Sequence, residues 1–552
     1  MKRFLSLLAC ASMFYTGAMA QSNATTGLIF DRDILTAPSF YSLAQREYNG
    51  TARSMAMGGA FTSLGADMSS FGINPAGFGM YQRNEISVTL GVGNHNSKNS
   101  GVVSADRGNN ATTQFSINNI GGSFKVYEGT GDLLAVNFAF GYNKTADYNY
   151  DLNYHGATSK FSVADAFADL ASREGLSINS DGKICDARGY VDYEMNPYYW
   201  GTVLAYKGGL INRGDQGWVV DEIGQDASID QFTRLQSRGS AGEFSFAVGL
   251  NYNNIIYFGA SLDIASINRR QSIYYSENIS YGEGQMPDGV TMPYRLNEFT
   301  LSQQMRTSGA GIGAKFGVIV RPANGLRIGF AVHTPTYYVL RYSYIAGLQS
   351  EATSAGTNPG NYEVINGNVY ADELSPRLTD EGEYSWAFTT PTRLLAGISY
   401  TAGKYAVFSA DYQYDAYRAV RVDDAPLENC SFINDDLRNG FRGQHTVRAG
   451  IEVRPTPAFA LRIGGGYITR ATRFADMIFT EPIIKDAWYA SAGLGFRLSK
   501  VTSIDVAYQF RKNKYTDYNT FYSDSGNGII ESPIYGLTSS NHNVAVSFGF
   551  RF

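Results

Sequence analysis

NVAVSFGFRF, residues 543–552, closes the chain and decides how the rest of it is read. Val544, Val546, Phe548, Phe550 and Phe552 share one parity, while Asn543, Ala545, Ser547, Gly549 and Arg551 share the other. A period of two marks a strand. Its two rows suit different surroundings, an apolar face for hydrocarbon and a small or polar face for a wet interior. A soluble sandwich also alternates, but it seldom stops on an aromatic at the last residue. That ending resembles the signal read by the outer-membrane barrel-assembly machinery, an expected partner during biogenesis.

Working back from the terminus, the same alternation recurs as hairpins with short turns. They cover residues 120–126 with 136–142, 244–250 with 256–264, 312–320 with 326–332, 394–400 with 406–412, 447–453 with 459–463, and 488–498 with 504–510. With the segment carrying Ile86, Val88, Leu90 and Val92 and the terminal strand, this makes an all-β, 14-stranded antiparallel transmembrane β-barrel, residues 83–552. An even count returns both ends to one side, where the tight turns also fall. Long connections, including residues 155–239, 276–297 and 345–383, belong to the outer side. Tyr148, Tyr150, Tyr154, Tyr337, Tyr338, Tyr412 and Tyr414 lie near strand ends, as expected of a ring belt at a lipid headgroup zone. Closure is obligatory, because a backbone group left unpaired in hydrocarbon costs several kcal/mol.

Composition agrees. Hydrophobic residues make up 44% and charged ones 17%, yet no apolar run is long enough for a membrane helix. Tyr 39 and Phe 33 against Pro 15 favour strands. The net charge of −5 comes with no basic stripe along the chain, which excludes nucleic acid as a partner. Lys2 and Arg3, the apolar stretch Phe4 to Tyr15, and Ala18-Met19-Ala20 form an export signal over residues 1–20. Cys185 and Cys430 are then the remaining cysteines, and whether they pair stays open. The expected location is the Gram-negative outer membrane, as a multi-pass monomer among outer-membrane lipid and lipopolysaccharide.

Residues 21–82 do not alternate. GTARSMAMGGAFTSLGADMSSFGINPAGFGMY, residues 50–81, is rich in small residues that permit close packing, as expected of a plug in the lumen. A periplasmic tail or a soluble N-terminal domain is the other reading. This small-residue segment ends in Asn74-Pro75-Ala76-Gly77 just before the first strand. Together with the strand count and the aromatic terminus, it resembles the FadL/TodX family of outer-membrane transporters of long-chain fatty acids and other hydrophobic compounds. The resemblance implies a hatch before Arg83, with Asn74, Pro75 and Ala76 in its conformationally sensitive part. It also implies passive uptake of a hydrophobic small molecule. Some members are labelled haemin receptors, so that reading stands beside it, as does an adhesive surface barrel.

Four features bear on a route for such a solute. Met55, Met57 and Phe61 offer an adaptable apolar surface in the hatch, or packing against the wall. Ser162 with Asp165 forms a capping box that opens a helix over residues 163–174, stopped by Gly175. Phe161, Val163, Phe167 and Leu170 then make a stripe that either catches grease or packs on neighbouring loops, with Lys160 or Arg173 near for a carboxylate. Finally, the strand of Phe115 and Ile117 changes parity before Ile120, which places a bulge at Asn118-Asn119, a candidate lateral opening or an ordinary irregularity of the wall. His95, His155, His333, His445 and His542 lack metal-ligand spacing, so no metal, cofactor or catalytic residue is expected.

Overall fold

The computed structural model describes residues 26–28, 37–47, 49–101, 109–159, 161–192, 195, 199–215, 217–220, 227–280, 294–355, 362–370, 384–423, 431–473, 483–524 and 528–552. The signal segment, Lys160 and Cys430 lie outside the described residues. Alternation along each segment produces the strands of one closed antiparallel barrel, fourteen among the described residues. They are β1 (Glu85–Gly101), β2 (Asn109–Glu128), β3 (Leu133–Asp147, continued by Tyr150–Ser159), β4 (Ser228–Tyr252), β5 (Ile256–Ser280), β6 (Tyr294–Ala323) and β7 (Leu326–His333, continued by Tyr337–Ala355). Then follow β8 (Tyr384–Thr389, continued by Arg393–Ala402), β9 (Ala406–Asp415, continued by Arg421–Asp423), β10 (Gln444–Thr456), β11 (Phe459–Ile468), β12 (Ile484–Arg497), β13 (Thr502–Tyr515) and β14 (Tyr535–Arg551). The terminal strand pairs with β13 on one side and with β1 on the other, from Glu85↔Arg551 to Gly101↔Tyr535, and this seam closes the cylinder.

Register assigns the two rows. Ile86, Leu262, Ile398, Leu461, Ile463, Phe548 and Phe550 face outward and are exposed, whereas Ser87, Thr89, Ala545 and Ser547 on the other parity are buried. Soluble proteins rarely expose so wide an apolar belt, and here it runs around the circumference, so its solvent is lipid. At its outer edge Tyr412 meets His445 Nδ1 at 2.7 Å and Tyr508 meets His542 Nδ1 at 2.8 Å, all on the exposed face. Tyr337 and Tyr412 join this belt, but Tyr148, Tyr154 and Tyr338 turn inward and are buried, contrary to the expectation that they would face headgroups.

The outer connections also differ from expectation. β4 and β5 stay paired from Tyr252↔Ile256 to Ser228↔Ser280, and β6 continues alongside, so residues 228–239, 276–280 and 294–297, whose sequence predicts loop, are sheet. Residues 345–355 and 362–370, likewise read as loop, pair as a hairpin. A bilayer needs only about 9–11 residues per strand, so the surplus stands above it as a tower. Outward residues change there from Leu262 and Ile264 to Ser266, Asn268 and Arg270. Short pieces of irregular backbone at Pro335 and Pro391, side by side on β7 and β8, break the wall at one height, with Thr336 N donating to Thr390 Oγ1 at 2.9 Å. Helices α1 (Ala37–Ala44), α2 (Ala52–Ala56), α3 (Val163–Arg173), α4 (Trp200–Lys207) and α5 (Ser431–Gly440) and three small sheets outside the barrel accompany it among the described residues. Buried Phe167, Trp200, Tyr275, Phe299, Leu348 and Phe521 form the tower's apolar core.

Leu262→Arg places a charge in the middle of the lipid-facing row of β5. It should cost about 2–4 kcal/mol in urea unfolding from lipid vesicles. Wild-type stability for this variant would contradict the assignment of that row to hydrocarbon.

Candidate functional site

Residues 49–81 fold inside the cylinder, against the buried rows of its strands. Their small residues allow backbone to approach backbone. Gly58 has φ +64° and lies so close to β11 that a Cβ there would sit 2.5 Å from Gly465 N. Across the lumen, Gly259 of β5 leaves room for the Pro75–Ala76 peptide, which a Cβ would meet at 2.2 Å. A smooth plug is thus matched to smooth patches of wall.

Asn74, Pro75 and Ala76 lie at the start of a 3-10 turn, Pro75–Met80, which Asn74 caps: its Oδ1 accepts from Ala76 N at 3.0 Å. The amide of Asn74 donates to Thr62 O at 2.7 Å and to Phe330 O at 3.3 Å, tying one turn of the plug to another and to β7. Thr62 in turn donates to Asp411 through its N at 2.8 Å and its Oγ1 at 2.7 Å. Met55 packs with Ala507 and Ala545, and Met57 and Phe61 with Leu395 and Val407, so all three residues contact wall rather than open space.

Charge supplies the remaining ties, through residues that sequence reasoning had not singled out. Glu452, fully buried on β10, is held by Arg53 of the plug at 3.0 Å, by Arg462 at 2.6 Å and by Arg454 at 2.5 Å. Lys315 on β6, 2% exposed, reaches Glu243 at 2.6 Å, Asp263 at 3.0 Å and Phe71 O at 2.7 Å, while Arg46 also pairs with Glu243. Arg511 binds Glu47 at 3.0 Å. A signal existed: each of these wall residues is a charge on the polar row of an otherwise apolar-alternating strand, as Lys315 is between Ala314 and Phe316.

A cavity of about 110 Å³ is bounded in part by the tower core itself, through Tyr41, Tyr148, Leu152 and Leu537. Tyr41, Glu47, His95, Asp147, Tyr150 and Asn541 contribute to its lining. Asp147 accepts from Lys144 at 2.6 Å and stands 3.8 Å from His95. The other histidines are dispersed: His155 pairs with Asp230 at 2.7 Å, His333 contacts Ile73 O at 2.8 Å inside the wall, and His445 and His542 face outward.

The outer helix forms as its capping box dictates, with Ser162 and Asp165 bonding reciprocally and Gly175 at φ +66° beyond its end. Its stripe is not open to ligand. Val163, Phe167 and Leu170 are fully buried in the tower core and Phe161 packs against it, while Arg173 pairs with Asp169 at 3.4 Å. The helix start docks on Glu277, which accepts from Val163 N at 2.8 Å, Ser162 Oγ at 2.5 Å and Gln231 Nε2 at 3.2 Å. Glu277 stands in the tower, well past Ile264. Burial pushes its carboxyl up to about 7, against hydrogen bonds from Ser162, Tyr275 and Val163 that pull it down.

Asn118 and Asn119 form the bulge. The β1–β2 register steps from Thr89↔Asn119 to Leu90↔Ile117, so Asn118 is the extra residue, and both asparagines are buried. Here the wall also changes partners. The β2–β3 ladder runs from Glu128↔Ala135 up to Asn119↔Asn143, and among the described residues no pairing continues above it, although β2 remains paired with β1 as far as Asn109. Side chains tie the upper part of β3 to its neighbours instead: from β1, Ser97 donates to Asp151 O at 2.5 Å and Asn99 to Asn153 O at 2.7 Å, and across to β2 Asn153 donates to Asn110 at 3.1 Å. Phe115 and Ile117 stand exposed on its lip.

No family model and no curated protein matches the sequence. In fold the chain is similar to the crystal structure of a Pseudomonas aeruginosa FadL homologue, at 12% identity over 92% of this chain and 98% of the other, with a TM-score of 0.49. It is also similar to the Pseudomonas putida toluene transporter TodX, at 12% identity over 92% of this chain and 100% of the other, with a TM-score of 0.46. A third is the Ralstonia pickettii toluene transporter TbuX, at 15% identity over 92% and 99%, with a TM-score of 0.44.

Two outcomes follow from this geometry. Lys315→Met leaves the buried Asp263 without its cation and Glu243 with Arg46 alone, and should cost about 3–5 kcal/mol, read as a lowered midpoint of unfolding; an unchanged midpoint would show that the plug is held otherwise. Because the Glu277 carboxyl binds its proton more tightly when docked, its stabilising contribution is full below its ordinary value of 4.5 and fades as pH rises through about 7. Limited proteolysis around α3 should therefore accelerate across that window, and Glu277→Gln should abolish the dependence. An identical pH profile in the variant would contradict it.

Proposed function

We propose that the protein is an outer-membrane channel for passive uptake of hydrophobic small molecules, long-chain fatty acids or compounds of similar character. Residues 1–20 are its export signal and residues 21–82 its hatch. The observation that carries this reading is the loss of the β2–β3 ladder above Asn119↔Asn143. An apolar solute gains nothing by crossing the charged seam between plug and wall, where Glu452, Lys315 and Glu243 are buried. A sideways exit through the wall keeps it out of water.

The gap lies at the outer end of the lipid-facing band, with Phe115 and Ile117 as an apolar lip and the polar edge of Asn118 and Asn119 turned inward. Placed there, the unpaired edge of β2 avoids the hydrocarbon centre, where each open backbone group would cost several kcal/mol. The cavity lies beside this gap, since Ser97 and Asp151 help to line it. Asn74, Pro75 and Ala76, which join the plug to β5, β6 and β7, are where a shift of the hatch would be felt. No covalent step is required.

Proteoliposomes should take up a fluorescent long-chain fatty acid faster than empty vesicles. Deleting Asn118 restores regular alternation to β2, lets its ladder with β3 extend, and should bring uptake down toward the empty-vesicle rate while the barrel still shows its folded mobility on unheated gels. Undiminished uptake in the deletion variant would sink the lateral route, and absence of uptake in the intact protein would sink the transport reading.

A further inference from the structure

The linear sequence shows no basic stripe, yet the register of the tower assembles one. On the outward face, Arg238 of β4 lies directly opposite Arg270 of β5, and Arg270 lies directly opposite Arg306 of β6. Arg306 pairs with Ser343 of β7, one outward step from Arg341, which is opposite Ser308. All four arginines are exposed. Like charges placed head-on across strands destabilise a sheet, and this sheet does so twice in one row. Asp151 balances Arg238, at 2.5 and 2.9 Å. Among the described residues no carboxylate pairs with Arg270 or Arg306, and their outward neighbours along the strands, Asn268, Ser272, Gln304 and Ser308, are neutral.

The height of the row says what neutralises it. The outward rows of the same strands carry Leu262, Ile264, Ile312 and Phe316 in the lipid band. Arg270 stands past Ile264 by a rise of about 15 Å for a strand tilted as barrel strands are. That is the level of a sugar headgroup rather than of acyl chains or bulk medium. The guanidinium fork matches two oxygens of one phosphate, and adjacent forks on neighbouring strands make a surface for a clustered anion. We propose that the outward face of β4 to β7 around Arg270 and Arg306 is a docking surface for the phosphorylated saccharide headgroup of the outer-leaflet glycolipid. The surface anchors the tower in the leaflet independently of what passes through the lumen.

The test uses the full chain in detergent, with purified rough-type lipopolysaccharide, the same material after enzymatic dephosphorylation, and sodium phosphate. Lipopolysaccharide should raise the thermal midpoint of the wild type and of the control Arg497→Gln, at the opposite rim. R270Q/R306Q should bind about tenfold more weakly or worse, and added salt should weaken the wild type toward it. Without glycolipid, the double variant should be at least as heat-stable as the wild type, because a repulsion has been removed; lower stability there would make the row structural and overturn the proposal. Equal binding by variant and wild type, or by dephosphorylated material, would also overturn it, and stabilisation by sodium phosphate alone would reassign the row to a free anion. Should R270Q/R306Q fail to assemble, R270K/R306K keeps the charge without the fork. It should bind more weakly than the wild type, and undiminished binding would reject the fork-to-phosphate recognition.

Discussion

A peptide group in hydrocarbon has no water to bond, so every amide and carbonyl crossing the membrane must find its partner in the chain itself. The seam between β14 and β1, complete from Glu85↔Arg551 to Gly101↔Tyr535, is how this polypeptide meets that demand. The same constraint gives meaning to the place where pairing stops. Among the described residues the second strand is paired on one side only above Asn119, and the interruption sits toward the outer end of the lipid band rather than at its centre.

Inside, the governing problem is reversed. The polar rows of the wall must be satisfied in a lumen from which the plug excludes water. The solution is a set of ionic clusters in which Arg46, Glu47 and Arg53 of the plug meet Glu243, Arg511 and Glu452 of the wall. Buried ion pairs contribute little net stability over apolar packing, but breaking one is expensive. Such pairs therefore fix where the plug sits. Together with the close backbone contacts at Gly58 and Gly259, they hold the plug tightly against the wall.

Much of this was legible in the sequence, because period-two patterning is a direct consequence of lipid outside and polar groups within. The six hairpins, the terminal strand, the capping box at Ser162 and the bulge at Asn118 all follow from side-chain parity or local hydrogen-bond chemistry. What was illegible depends on register between distant segments. Residues 228–239 and 276–280 are polar on their outward face and read as loop, though they are sheet, since above the membrane the outward row no longer needs to be apolar. The stripe of Phe167 and Leu170 looks like a ligand catch until Glu277 and the tower core are brought against it. Likewise the charges on the polar rows are visible singly, but that Lys315 meets both Glu243 and Asp263 is a property of neighbouring strands.

Among the described residues the wall between β2 and β3 is continuous from Glu128 to Asn119 and interrupted above it. Amide hydrogen exchange of the protein in lipid nanodiscs, resolved along β2, measures this directly. Exchange should be slow throughout residues 119–128 and, over 110–118, should alternate between slow amides that face β1 and fast ones that face the gap. Uniformly slow exchange over 110–118, equal to that of the residues below, would mean that the ladder is closed and that the proposed exit does not exist.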